Sequence, residues 1–143
     1  MKSPSMTSPH KNKTITTLLA VLTGSLGGHR FYMYGKRDKW GWMHFISLPI
    51  SFIASHLFIG QPGLATYSAL VLSFLVSLFE ALIIGLTPDE KWDERHNKLS
   101  EHPSESSWPL ALILVFTVGF GAIALIGTIA RAFDLFYTGG AYG

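Results

Sequence analysis

Glu80 is the only charged residue in residues 64–86, a run otherwise apolar or small. A carboxylate in such a run is costly to bury in lipid and points to a proton, ion or partner site, with His44, His56 or Arg30 as its counter-group. The plainer readings are a structural ion pair, or exposure to headgroups, since Glu80 lies six residues before Leu86. Arg30 belongs to a second group, His29, Arg30, Phe31 and Tyr32 (HRFY). There an arginine can grip a phosphate or carboxylate with two hydrogen bonds while the aromatics anchor at the membrane surface. The competing reading is a structural corner, in which Arg30 bonds carbonyls freed where Gly27 and Gly28 break a helix. The remaining chemistry is thin. No two histidines have the i, i+3 or i, i+4 spacing that aims two imidazoles at one ion, and there is no cysteine, so no metal and no cofactor is expected. A hydrolase is disfavoured because Ser, His and acidic residues occur without a nucleophile-elbow motif.

The elements that must position these groups are apolar helices. Of 143 residues, 48% are hydrophobic and 14% charged, with a mean hydropathy of +0.33, which favours lipid as the solvent. The basic residues cluster beside the apolar runs and form no broad basic face, so no nucleic-acid partner is expected. Residues 40–60 carry no formal charge and span about 31 Å as a helix, with Pro49 a kink. Residues 64–86 and 109–130 are two further spans, and Gln61–Gly63 (QPG) is the turn of a helical hairpin. The first run, residues 15–28, reaches only about 21 Å, so it either crosses with help from Phe31–Tyr34 or re-enters on its own side. A signal peptide shares its layout, but no clean A-x-A cleavage site follows.

The expected fold is all-α: a polytopic membrane helical bundle with three spans, a short or re-entrant first helix and one amphipathic surface helix. Residues 1–12 form a disordered tail, and 13–60 a two-helix module with the HRFY turn. Residues 61–86 are the third membrane helix, 87–107 a cytoplasmic amphipathic helix with its linker, 108–137 the fourth membrane helix and 138–143 a tail. The surface helix should start with a capping box, Thr87 to Glu90 around Pro88, and present Trp92, His96 and Leu99 on one face. Trp40, Trp42, Trp92 and Trp108 suit an aromatic belt, and Arg131 with Asp134 an interfacial pair.

Helices in lipid associate through small residues. Ala69, Ser73, Ser77, Ala81 and Gly85 recur every four residues, and Ser47, Ser51 and Ser55 recur likewise, so these two faces are expected to meet. Gly24 and Gly28 supply a GxxxG to the first helix. Re-entry of that helix would leave Arg131 alone opposite all other lysines and arginines. Both this arrangement and a crossing from an outside N-terminus place the 36–39 loop in the cytoplasm.

Gly27, His29, Arg30, Phe31, Tyr32 and Gly35, after a short glycine-containing apolar run, resemble the signature of the two-transmembrane domain family, called NINE-type proteins in bacteria. The resemblance covers about residues 11–60. It implies a small integral membrane protein of a bacterial inner membrane, without an enzymatic reaction, whose HRFY turn faces the cytosol. The family's aspartate late in the second apolar region has no counterpart there, and Glu80 is a possible substitute. The functional expectation is a non-catalytic accessory or assembly subunit in the lipid bilayer. It would bind another membrane protein, a second copy or lipid headgroups through its small-residue faces and the HRFY turn. The alternative is a small oligomeric transporter or channel using Glu80 and the histidines of residues 40–60.

Overall fold

The computed structural model describes residues 9–142. It contains seven helices: α1 Lys13–Thr23, α2 Gly28–Tyr34, α3 Lys39–Leu57, α4 Gly63–Thr66, α5 Ser68–Leu86, α6 Asp89–His96 and α7 Trp108–Thr138, with no strand among the described residues. Asn12 caps α1 by accepting from the Ile15 amide at 3.1 Å. The Thr16 and Thr17 hydroxyls then bond carbonyls one turn back, hiding their polarity within the helix. Residues 10–12, expected in the disordered tail, are engaged, His10 with Ser100, Lys11 with Asn97 and Asn12 as the cap; residues 1–8 lie outside the described residues.

The first apolar run forms a hairpin. After α1 a single 3-10 turn, Gly24–Leu26, tightens the chain, and Gly27 reverses it at φ 77°, a left-handed conformation suited to glycine. The α2 helix then climbs back until the Tyr32 hydroxyl accepts from the Asn12 amide at 3.2 Å. Lys13 Nζ donates to the Thr87 carbonyl at 2.8 Å, so α1 starts beside the end of α5. Ser73 Oγ donates to the Ser25 carbonyl at 2.8 Å, so the hairpin tip lies beside the early part of α5. Both ends of the hairpin therefore sit at one end of the bundle. The α3 helix runs down, α5 up and α7 down again.

Packing is inside-out relative to a water-soluble bundle. The largest fully buried side chains are His29, Thr16, Thr17, Thr117, Ser51 and Ser77. On α3 the buried face is Gly41, His44, Ser47 and Ser51, while Trp40, Met43, Phe45, Phe52 and Ile53 point outward. So continuous an apolar exterior suits lipid, where close small-residue contact replaces the hydrophobic drive. Two helices, α5 and α7, are long and apolar enough to cross a membrane. The 19-residue α3 is not one of them, because Lys39, two histidines, three serines, two tryptophans and Pro49 lower its mean hydropathy.

The small-residue pairing differs from expectation. The stripe on α5 does not face α3 along its length, because the hairpin takes its central place. A Cβ on Gly24 would lie 2.4 Å from Ser77 Cβ, Ala20 and Ala81 are fully buried together, and Gly85 is covered by Leu114 of α7. On α3, Ser51 Oγ accepts from the Leu70 amide, but Ser55 donates only to the Phe52 carbonyl of its own helix. Gly28 packs against Thr23 within the hairpin. Ala69 lines the groove between α3 and α5.

The polar segment docks onto the bundle instead of lying alone on a membrane surface. Trp92, 2% exposed, donates through Nε1 to the Lys11 carbonyl at 2.8 Å, and Asn97 Oδ1 accepts from the Lys11 amide at 2.7 Å. The expected capping box does not form. Thr87 Oγ1 donates back to the Ile83 carbonyl, and the first residue of α6 follows Pro88 without a side-chain cap.

Candidate functional site

The close backbone approach between the hairpin and α3 builds the site. A Cβ on Gly27 would lie 2.4 Å from the Gly41 carbonyl oxygen, and Phe31 packs flat against Gly41 where any Cβ would collide with its ring. That proximity turns His29 and Arg30 inward to Glu80 on α5. Glu80 Oε2 lies 2.8 Å from His29 Nε2 and 3.1 Å from His44 Nε2, and Oε1 accepts from Arg30 at 2.6 Å. Arg30 Nε donates to Asp38 Oδ2 at 2.8 Å, and the same oxygen accepts from the Gly41 amide at 2.7 Å, capping α3. The Arg30 hydrogen bond holds Asp38 below the usual carboxylate range. Two carboxylates, one guanidinium and two imidazoles thus join α2, α3 and α5 at one point.

The cluster extends through His44 Nδ1, 2.7 Å from Ser73 Oγ, to the Ser25 carbonyl at the hairpin tip. On its other side, Glu80 and Arg30 floor a pocket of about 180 Å³ rimmed by Tyr34, Thr87, Arg95 and His96. Burial, and then the charges of Arg95 and Lys11, push the His96 imidazole below its usual value. His44 and Ser73 line a separate groove of about 260 Å³ between α3 and α5, edged by Trp40 and Met43.

Of the residues singled out from sequence, His29, Arg30, His44, Ser73 and Glu80 come together. His56 does not. It is exposed near the far end of α3, where Nδ1 meets the Phe52 carbonyl at 2.9 Å and the ring lies tilted against Phe52. Arg30 is held by both carboxylates, through Nε to Asp38 and through one terminal nitrogen to Glu80, and it also lines the pocket beside Arg95. Phe31 contacts Gly41 and the Trp42 ring, and Tyr32 lies under Lys11. The four HRFY residues, expected as a turn, are helical within α2, between Gly27 and Gly35, both at positive φ, and all four side chains make contacts within the chain.

Residues 9–79 match the TM2 domain. The chain belongs to the TM2 domain family. The match covers about half of the chain and reaches beyond the HRFY turn and α3 into α5, further than the 11–60 footprint read from the motif. With two helices long and apolar enough to cross, the chain is a membrane protein. No curated protein and no solved structure matches it significantly.

Asp38 is the site residue that motif reading overlooked. Its signal was an aspartate directly before the long uncharged run, the ordinary position of a helix N-cap. Asp89, Asp93 and Asn97 were also passed over. They recur every four residues along α6 and its C-cap and bind the linker: Asp89 accepts from the Ser106 amide at 2.8 Å and Asp93 from the Ser104 amide at 2.6 Å. Asp89 also pairs with Lys13. Burial alone would raise both aspartates, but Lys13 and Ser106 at Asp89, and Ser104 and Asn97 at Asp93, hold them below the usual range.

Proposed function

We propose that this TM2-domain protein is a non-catalytic accessory or assembly subunit of a bacterial inner membrane. It binds another membrane protein, or a second copy of itself, through its lipid-exposed helix surface. The observation that carries this reading is the contrast between a bonded polar interior and an open α7. Of the 31 residues of α7 only Leu110 and Thr117 are buried, and a Cβ on Gly119 or Gly127 would meet nothing. The HRFY turn contributes indirectly, by fixing the hairpin, since its side chains already have partners.

In the proposed topology α3, α5 and α7 cross and the α1–α2 hairpin re-enters. The outward aromatic and aliphatic face of α3 supports its crossing despite its polar inner face. Lys11, Lys13, Lys36, Arg37, Lys39, Lys91, Arg95 and Lys98 lie at one end of the bundle and Arg131 near the end of α7, so the 36–39 loop is cytoplasmic. Because the chain has no cysteine, labelling is direct. Arg37→Cys and Arg95→Cys should label from the cytoplasmic side and Gln61→Cys from the other; labelling of all three from one side overturns the topology.

For the functional reading, mild-detergent purification should yield a stoichiometric partner or a dimer that Gly119→Leu with Gly127→Leu releases without loss of folding. A transporter or channel is the second reading, favoured by Glu80 and His44 lying between the basic-end pocket and the α3–α5 groove. Proton or ion flux through proteoliposomes of the isolated protein, abolished by Glu80→Gln, decides for it and against the accessory role.

A further inference from the structure

The hydrogen bonds of the Glu80 cluster constrain where its protons sit. His29 is fully buried and its Nδ1 has no partner, so a proton there would be an unsatisfied buried donor. His29 is therefore the neutral Nε2–H tautomer, donating to Glu80 and leaving only a bare lone pair at Nδ1. The other imidazole is wired differently. The Ser25 carbonyl can only accept, so the single hydroxyl proton of Ser73 points to it, and Ser73 Oγ must accept from His44 Nδ1–H. His44 Nε2 then faces Glu80 Oε2 at 3.1 Å. That contact is favourable only with a proton between the two atoms, either on His44 Nε2 or on Glu80 itself.

Charge leads to the same count. Among the groups bonded to one another, Glu80 and Asp38 carry two negative charges against the single positive charge of Arg30, with Arg95 only across the open pocket, and a net charge held in a poorly solvated bundle is costly. One extra proton on the His44–Glu80 pair makes the cluster neutral.

We propose that His44 and Glu80 share one removable proton, and that its presence lets Ser73 hold the hairpin tip through the Ser25 carbonyl. Loss of this proton leaves Glu80 ionised and His44 neutral. His44 must then keep Nε2–H for Glu80 and offer a lone pair at Nδ1, so Ser73 turns its only proton to His44 and Ser25 loses its donor. Ser47 Oγ, 3.4 Å from the Ser25 carbonyl and already donating to His44 O at 2.6 Å, is a poor replacement. The pair is faced by His29 and Arg30 from α2, Asp38 from the loop before α3 and Ser73 from α5, and across the pocket by Tyr34 of α2 and Arg95 and His96 of α6. The charged group of α1, Lys13, is engaged at the other end with Asp89 and Thr87, and α4 carries no titratable side chain. The device is a proton-operated latch on a re-entrant hairpin.

The full-length protein in nanodiscs, with histidines labelled with nitrogen-15, tests it. In the closed form His29 should show a proton on Nε2 alone, and His44 should show a proton on Nδ1 and either a second proton on Nε2 or a proton shared with Glu80. Raising the pH should move the His44 proton from Nδ1 to Nε2. Over the same pH range, thiol labelling at Ser25→Cys, normalised to Gln61→Cys to cancel thiol ionisation, should rise about fivefold, the change expected from losing one ordinary hydrogen bond. Ser73→Ala should label fast at every pH with this dependence gone, and His56→Gln should leave it unchanged. A His44 that keeps a bare Nδ1 throughout overturns the proposal. So does labelling at positions 25 and 61 that stays parallel at all pH values, or a pH dependence that survives Ser73→Ala.

Discussion

The TM2 half and α7 are both apolar by composition, yet they are held in opposite ways. In the TM2 half, and where it meets Glu80 just beyond the matched residues, the contacts that fix geometry are polar: Glu80 to His29, His44 and Arg30, Ser73 to Ser25, and Ser51 to the Leu70 amide. The α7 helix instead rests against α5 through Leu114 on Gly85, Phe120 on Phe74 and Gly121 beside Leu78. The difference shows that apolarity places a helix in lipid but does not choose its neighbours. Neighbours are chosen where a buried polar group has one satisfactory partner, or where a glycine lets two backbones touch.

Removing a charge from the cluster breaks this comparison most severely. Glu80→Ala leaves Arg30 with Asp38 alone and both histidines without their acceptor, and it should lower stability by about 3–5 kcal/mol, as breaking a buried pair does. Thr117→Val on α7 loses only a hydroxyl that bonds its own helix, so its midpoint of unfolding should barely move. Equal losses for both in detergent unfolding curves would erase the distinction. Next in size is Gly24→Val, whose Cβ would collide with Ser77 and force the hairpin off α5. About 1–3 kcal/mol of destabilisation is expected from such overpacking. Gly119→Leu and Gly127→Leu, with open space at each Cβ, should leave unfolding unchanged and alter only association.

The smallest effect is expected at the α6 strap, and it depends on pH. Asp89 and Asp93 have folded-state values below the ordinary 3.8, so their contribution is fully present above that value. It is lost as pH falls below 3.8 towards the depressed values. Trp92 fluorescence should therefore report a docked α6 through neutral and mildly acidic conditions and release only in stronger acid. Asp89→Asn should release it at higher pH than the parent protein does. Release already near pH 6 would show that His96, not the aspartates, governs the strap.

Much of this was legible from residue types and periodicity. The long apolar runs gave the order of helices, QPG the turn after α3, and Gly27–Gly28 the break before HRFY. Glu80 was visible as a misplaced charge because a carboxylate in a lipid-facing run has no good reason to be there. Its partners were only half legible. Arg30, His44 and His56 were equal candidates by type, since linear distance says nothing about which end of α3 stands beside Glu80. His29 entered as part of the turn, and its fully buried position could not be read from a window in which aromatics and glycines dominate.

The sequence by itself determined that the chain belongs in lipid, that its charges cluster beside the apolar runs and that one acid needs a partner. These follow from composition and local order, because hydropathy and charge act on a helix whatever surrounds it. Only the tertiary structure decided that the first helix turns back, that this hairpin takes the place opposite α5 expected for α3, and that His44 rather than His56 meets Glu80. Those outcomes depend on backbone approach between residues far apart in the chain, Gly24 with Ser77 and Gly27 with Gly41, where a few tenths of an ångström decide whether two helices touch.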